Sequence, residues 1–298
     1  MNVNRVTQSM LGDRSMANLQ SGLKRLADLQ EHLSTGRVLN RPSDNPADAG
    51  SAMRLRSSLR AEQQHARNAD DGLGWLNTID SSLQTAGDSV RRARELALQG
   101  ANAAGGPQAR EALATEVDQI RAGLLSTANT TYLGRPVFGG TTMGNVAFTD
   151  NAGVVTFTGD SNPVNRTVAD GVVVNVAQEG TAAFGTDADN VFAHLSALSA
   201  ALRAGDTAGI STGIDALAAD EKQVVVARAD IGARTVRVEQ ATTRAGDSEL
   251  SLTNALAEIE NADLPRTVVD LKMQEVAYQA SLAATARVLQ PSLVDFLR

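Results

Sequence analysis

Cysteine is absent from this 298-residue chain. Disulfides, thiol nucleophiles and thiolate metal sites are therefore excluded. The absence fits a protein that leaves the cytoplasm, although alone it says little about compartment. Aromatic residues make up only 3%, so the cores are expected to be aliphatic, built from Leu, Val, Ile and Ala. That mix favours close helix–helix packing over enclosed ligand pockets. No run approaches the roughly 18–20 apolar residues that span a bilayer, so no membrane partner is expected. Residues 1–9 lack the apolar centre of a cleaved signal peptide. The expectation is a soluble chain whose export, if any, uses a route independent of a Sec-type signal. A basic stripe is also missing, which argues against nucleic acid.

The charge that is present is unevenly placed. Between 138 and 220 lie nine acidic residues against Arg166 and Arg203, which accounts for the whole net charge of −7. A neutral helical frame can self-associate without long-range repulsion, while an acidic insert stays solvated.

The two ends carry the clearest patterning. In residues 13–38, Met16, Leu19, Leu23, Leu26 and Leu33 follow the three-and-four spacing of a coiled-coil seam. In 264–298, Val268, Leu271, Tyr278, Leu282, Leu289 and Phe296 keep a similar register, with Leu293 in the same helix. A second stripe, Val269, Met273, Val276, Ala280 and Ala283, points well away from the first. One stripe suffices for a helix that pairs only with its own N-terminal partner. Two stripes ask for further neighbours, and the ends are predicted to be a polymerisation device. They are also predicted to be largely disordered in the free subunit and to order on assembly.

Between the ends the chain goes out along helices and returns. Gly36 suits a helix C-terminus, and Asn40, Pro42, Asp44 and Pro46 form a turn-rich hinge in which Ser43 or Asp44 can cap the next helix. A long helix over 46–100 follows, with Ala52, Leu55, Leu59, Ala66, Ala69, Leu73, Leu76, Leu83, Val90 and Ala97 on one seam. Glu62, Asp80 and Arg94 interrupt that seam, as register-setting residues do. A helix after Pro107 uses Leu113, Val117, Ile120 and Leu124. Short β-rich runs at 146–148, 154–157, 166–168 and 172–176 predict a small antiparallel insert. Helical spacing returns at Val191, and Asp206 is placed to cap a second long helix with Val224, Ala227, Ile231, Val238, Ala241, Leu252, Ala255 and Ile259 on its seam. Asp263 and Pro265 then mirror the first hinge.

The expected fold is mainly α: a long antiparallel helical bundle or coiled-coil rod, formed by the N- and C-terminal halves, with a small inserted antiparallel β domain. The expected division is 1–42 with 263–298 as terminal helices, 43–137 with 190–262 as the helical domain, and 138–189 as the insert.

Catalysis finds little support. His32, His65 and His194 are far apart and read as surface or satisfied histidines, and Trp75 and Tyr132 read as packing residues. Gly139 to Gly144 lacks the Lys-Ser/Thr of a phosphate loop. Asp44 to Gly50 lacks the glutamate of a calcium loop and contains Pro46. Asp187 and Asp189 read as a solvated turn. Asn129 and Asn165 open formal glycosylation sequons. No enzyme activity, cofactor or metal is expected.

Several runs resemble the flagellin superfamily. Leu33-Ser34-Thr35-Gly36-Arg37 with Asn40-Arg41-Pro42-Ser43-Asp44-Asn45-Pro46-Ala47 is similar to its N-terminal hinge. Arg67-Asn68-Ala69-Asp70-Asp71-Gly72, Arg94-Glu95-Leu96-Ala97-Leu98-Gln99 and Gly134-Arg135-Pro136-Val137-Phe138-Gly139-Gly140-Thr141 resemble its long-helix motifs and the motif that closes its helical domain. The hinge and the run from Gln274 to Leu297 are most similar to the flagellin-like hook-associated branch of the hook–filament junction. The resemblance implies a homo-oligomeric ring between hook and filament. It would have flagellin on the filament side, the other hook-associated junction protein on the hook side, and an export chaperone on the C-terminal region. It further implies an extracellular flagellar location, reached by type III export without a cleaved signal peptide. The alternatives are a minor flagellin of the filament, a secreted enzyme or adhesin on a flagellin-like scaffold, and a cytoplasmic coiled-coil sensor.

Overall fold

The computed structural model describes residues 8–102, 106–186 and 189–289. In chain order these form α1 (Gln8–Thr35), α2 (Pro46–Ala101), α3 (Pro107–Ala128), β1 (Thr131–Tyr132), β2 (Arg135–Pro136), β3 (Phe148–Asn151), β4 (Val154–Phe157), β5 (Asn165–Ala169) and β6 (Val172–Asn175). Then follow α4 (Gly180–Phe184), β7 (Gly185–Thr186), β8 (Asp189–Asn190), α5 (Val191–Ala204), α6 (Thr207–Glu260) and α7 (Leu264–Leu289). The chain divides into two compact units, residues 1–59 with 250–298, and residues 60–249. α2 and α6 supply residues to both.

The helix ends follow local chemistry. α1 stops where Gly36 takes φ +70° and its N–H returns to the His32 carbonyl at 2.9 Å. α2 is capped by Asn45, not by Ser43 or Asp44. The Asn45 Oδ1 accepts the N–H groups of Ala47 and Asp48 at 3.1 and 3.3 Å, and Pro46 opens the helix, where a missing N–H costs nothing. Asp206 caps α6 through the Ala208 N–H at 3.1 Å.

In the larger unit every seam residue of α2 from Ala69 onward is buried except Leu73, which is half-buried. Val224, Ala227, Ile231, Val238 and Ala241 of α6 join them in one core with α3 and α5. Two of the three polar residues that break the α2 seam meet partners on α6: Asp80 accepts from Arg228 at 2.8 Å, and Arg94 lies 3.5 Å from Glu221. At Gly74 a Cβ would collide with the Tyr132 ring. The glycine therefore lets Tyr132 approach the helix and meet Trp75 edge-on at 5.7 Å between ring centres.

The β1–β2 pair precedes the insert, and the described strands of the insert region form three further separate antiparallel pairs, β3–β4, β5–β6 and β7–β8. The centre of the insert departs from the aliphatic expectation. Phe138, Phe148, Phe157, Phe184 and Phe192 gather with ring centres 5.1–6.1 Å apart, which fastens β3–β4 to α4 and α5 within the same core as the helices. Aromatics are few but concentrated. Three acids of the insert, Asp150, Asp160 and Glu179, have structural partners. Asp150 pairs with Arg121 at 2.8 Å, and Asp160 closes the Gly140 loop. Glu179 accepts the hydroxyls of Ser161 and Thr181, which hold its pKa below the usual carboxylate range.

Candidate assembly surface

In the smaller unit α1 and α7 lie against each other, and the seam differs from the one the apolar spacing predicts. On α1 the inward positions are Gly12, Ser15, Leu19, Gly22, Leu26, Leu29 and Leu33. On α7 they are Thr267, Leu271, Gln274, Tyr278, Ser281 and Thr285. Small and polar residues hold the pair close: Gln274 Nε2 donates to the Gly22 carbonyl at 3.1 Å, and a Cβ on Gly22 would sit 3.4 Å from the Tyr278 ring. Of the predicted seam, Leu19, Leu26, Leu33, Leu271 and Tyr278 face inward. Met16, Leu23, Val268 and Leu282 are exposed instead. The predicted second stripe, Val269, Met273, Val276, Ala280 and Ala283, is exposed throughout. Leu293 and Phe296 lie outside the described residues, as does the side chain of Leu289.

The described parts of the two ends are helical and paired. Much of the seam that closes them is made of residues the apolar pattern passes over. It buries little: Leu271 is the single buried apolar side chain described on α1 and α7.

The segments just before the two predicted hinges are bonded to each other. The Val38 N–H donates to the Glu260 carbonyl at 2.8 Å, and the Ala262 N–H to the Gly36 carbonyl at 2.9 Å. The buried Glu260 carboxylate lies 2.7 Å from Arg56 and 3.6 Å from Arg37. Asp44 accepts the N–H groups of Arg41 at 2.7 Å and Asn40 at 3.1 Å. The Arg41 N–H is the chief reason its pKa falls below the ordinary aspartate value. Asn40 Nδ2 donates to Thr35 Oγ1 at 3.2 Å and to the Arg37 carbonyl. Pro42 is exposed in the turn. Asp263 caps α7 through the Arg266 N–H at 3.1 Å, with Pro265 in the first turn. Asn45 and Glu260 escaped the sequence reading. The Asn45-Pro46 pair is a recognisable cap signal, whereas nothing local marks Glu260 as buried.

The catalytic alternatives resolve into structural roles. Asp160 occupies the would-be phosphate loop: its carboxylate accepts the Thr141 N–H and Oγ1 at 2.8 Å each, which lowers its pKa through the Thr141 N–H first. The loop's anion is part of the chain. Asn129 spends its side chain on Ala147 and Phe148, and so is unavailable as a sequon. Asp187 lies outside the described residues. His194, unforeseen as a network, places Nδ1 2.8 Å from Asp220 and Nε2 3.0 Å from Asp189. Burial raises the Asp220 pKa, against the opposing effect of the His194 contact. Both contacts lie on opposite sides of one ring, and no group of three His, Asp or Glu poised for a metal occurs among the described residues.

The profile of the bacterial flagellin N-terminal helical region matches residues 6–142, and that of the C-terminal helical region matches 214–297. The chain belongs to the flagellin family. It is 25% identical over 306 residues to the flagellar filament 33 kDa core protein of Treponema phagedenis, covering 100% of both chains. It is 24% identical over 310 residues to flagellar hook-associated protein 3 of Escherichia coli strain K12, covering 94% of this chain and 95% of that one. Among solved structures, a putative flagellar hook-associated protein from Vibrio parahaemolyticus shares the fold. The TM-score is 0.69 at 22% identity, over 73% of this chain and 100% of that one. The α1–α7 pair belongs to the segments that the two flagellin profiles match.

Proposed function

We propose that this flagellin-family chain is a structural subunit of the bacterial flagellum that assembles as a ring of copies at the hook–filament junction. One observation carries the reading: α7 turns its polar edge to α1 and its valines and methionine outward. Fully burying such a side chain stabilises by about 1.5–3 kcal/mol. Half-exposed residues on several helices therefore sum to enough to offset the roughly 4–15 kcal/mol of lost freedom on association. The full-length likeness to a hook-associated protein supports the junction over other positions. In this reading flagellin contacts the ring on one side and the other hook-associated protein on the other. A chaperone covers the C-terminal region before type III export.

Fluorescent or gold labelling of the chain in isolated flagella tests the position. A single band at the filament base is expected; label along the filament length overturns the junction. That second outcome is the minor-flagellin reading, the alternative to which the alignment with a filament core protein belongs.

A further inference from the structure

Of the five methionines that follow the initiator, four fall in the smaller unit, and all four are exposed: Met10 (48%), Met16 (53%), Met53 (65%) and Met273 (63%). They sit on three different helices, α1, α2 and α7. The fifth, Met143, lies in the insert and is 98% exposed. Within its own helix Met16 shares a face with exposed Leu23, seven residues on. Met273 shares one with exposed Val269 and Val276. It also borders a groove of about 560 Å³ lined by Arg25, Leu29 and His32 among others. Unbranched thioethers mould to irregular apolar surfaces, and each also accepts oxygen readily.

We propose that Met10, Met16, Met53 and Met273, each exposed on its own helix, are reversible oxidation positions whose redox state decides whether a subunit can join the assembly. This rests on the assembly reading above. Hydrogen peroxide, or another hydroperoxide, transfers one oxygen to sulfur. The O–O bond breaks, the S–O bond forms, sulfur gives up two electrons and the peroxide leaves as water or, from an organic hydroperoxide, as the alcohol. The product is a polar sulfoxide in the middle of a surface that must lose water to pack. A subunit oxidised before assembly is barred, whereas one already assembled shields its thioethers. Methionine sulfoxide reductases return the barred subunit to use.

The test is peroxide footprinting read by mass spectrometry, on the purified full-length protein and on isolated flagella containing it. In the free protein all five methionines are expected to oxidise within several-fold of one another. In flagella the four should slow by about tenfold or more, while Met143 stays reactive. Equal reactivity of Met16 and Met273 in both forms overturns the proposal. Its consequence is read by adding reduced, oxidised, and oxidised-then-reductase-treated protein to flagella from cells lacking it, and counting bound copies. Oxidation should cut binding about tenfold and reductase treatment should restore it. The Met143→Leu variant should be as sensitive as the parent, and a protective effect of that substitution overturns the site assignment. Normal binding of oxidised protein overturns this proposal alone. Failure of the reduced protein to bind at all overturns the junction reading and this proposal with it.

Discussion

The two units use the same helices to opposite ends. In residues 60–249, α2 and α6 close on Leu76, Ile79, Leu83, Val90, Ile231 and Val238, all essentially without solvent contact. In residues 1–59 and 250–298 the seam residues Leu55, Leu59, Leu252 and Ile259 are only half-buried, and the buried apolar side chains described are Ala49, Ala52 and Leu271. A continuous heptad pattern thus does not mean continuous burial. What differs is the neighbours: α3, α5 and the phenylalanine cluster complete one core, while the other has a single thin helix pair beside it. A region that leaves its apolar residues in water is poised to be completed by another molecule.

Amide exchange should sharpen the contrast most. α1 and α7 are expected to exchange at least about a hundredfold faster than the Leu76–Val90 stretch of α2, because few contacts oppose local opening. Comparable protection in the isolated chain would break the comparison. Phe192→Ala should cost about 3–5 kcal/mol in thermal or denaturant unfolding, through the cavity left among the rings. Arg56→Ala leaves the buried Glu260 with the more distant Arg37. A loss of about 1–3 kcal/mol is expected, because an abandoned buried charge is costly. A circular-dichroism melt should place that loss in the smaller unit's transition.

Acid should act mainly on the larger unit. Partial burial works against the Asp118 charge, yet hydrogen bonds from Ser199 and Arg203 hold its pKa below the ordinary aspartate value. Asp160 and Glu179 are depressed as well. A lowered folded pKa means stability present above the unfolded value and lost as pH falls through the folded one, so unfolding should begin below about pH 4. Asp220 runs the other way: its folded pKa is raised, so its share of stability falls as pH rises above the unfolded value. Asp220→Asn should therefore flatten the loss on the rising side, as measured by stability against pH.

The smallest stability change is expected at Val276→Ser, within about 0.5 kcal/mol in the free chain because the side chain is already in solvent. Its incorporation into flagella should nonetheless fall severalfold. An unchanged incorporation would remove α7's outer face from the assembly surface.

Helix extents and turns were legible because their signals are local: the glycine after α1, the Asp206 cap, the Asp170-Gly171 turn. The identity of the paired face was legible in part, through Leu19, Leu26, Leu33, Leu271 and Tyr278. Apolar spacing also selects the exposed Met16, Leu23, Val268 and Leu282, and it passes over the inward Ser15, Gly22, Thr267 and Ser281, which are small, and Gln274, which bonds to the Gly22 carbonyl. The aromatic cluster was also hidden, since its five phenylalanines are spread from 138 to 192 without any period. The Asp189–His194–Asp220 contact spans strand, helix and helix, a relation no spacing rule encodes.

The bridge between Gly36–Val38 and Glu260–Ala262 has one further consequence. The outgoing and returning strands are stitched at the same level, so neither can pivot alone. The bases of α1 and α7 are therefore held together, and a pull on one helix is passed to the other at that level.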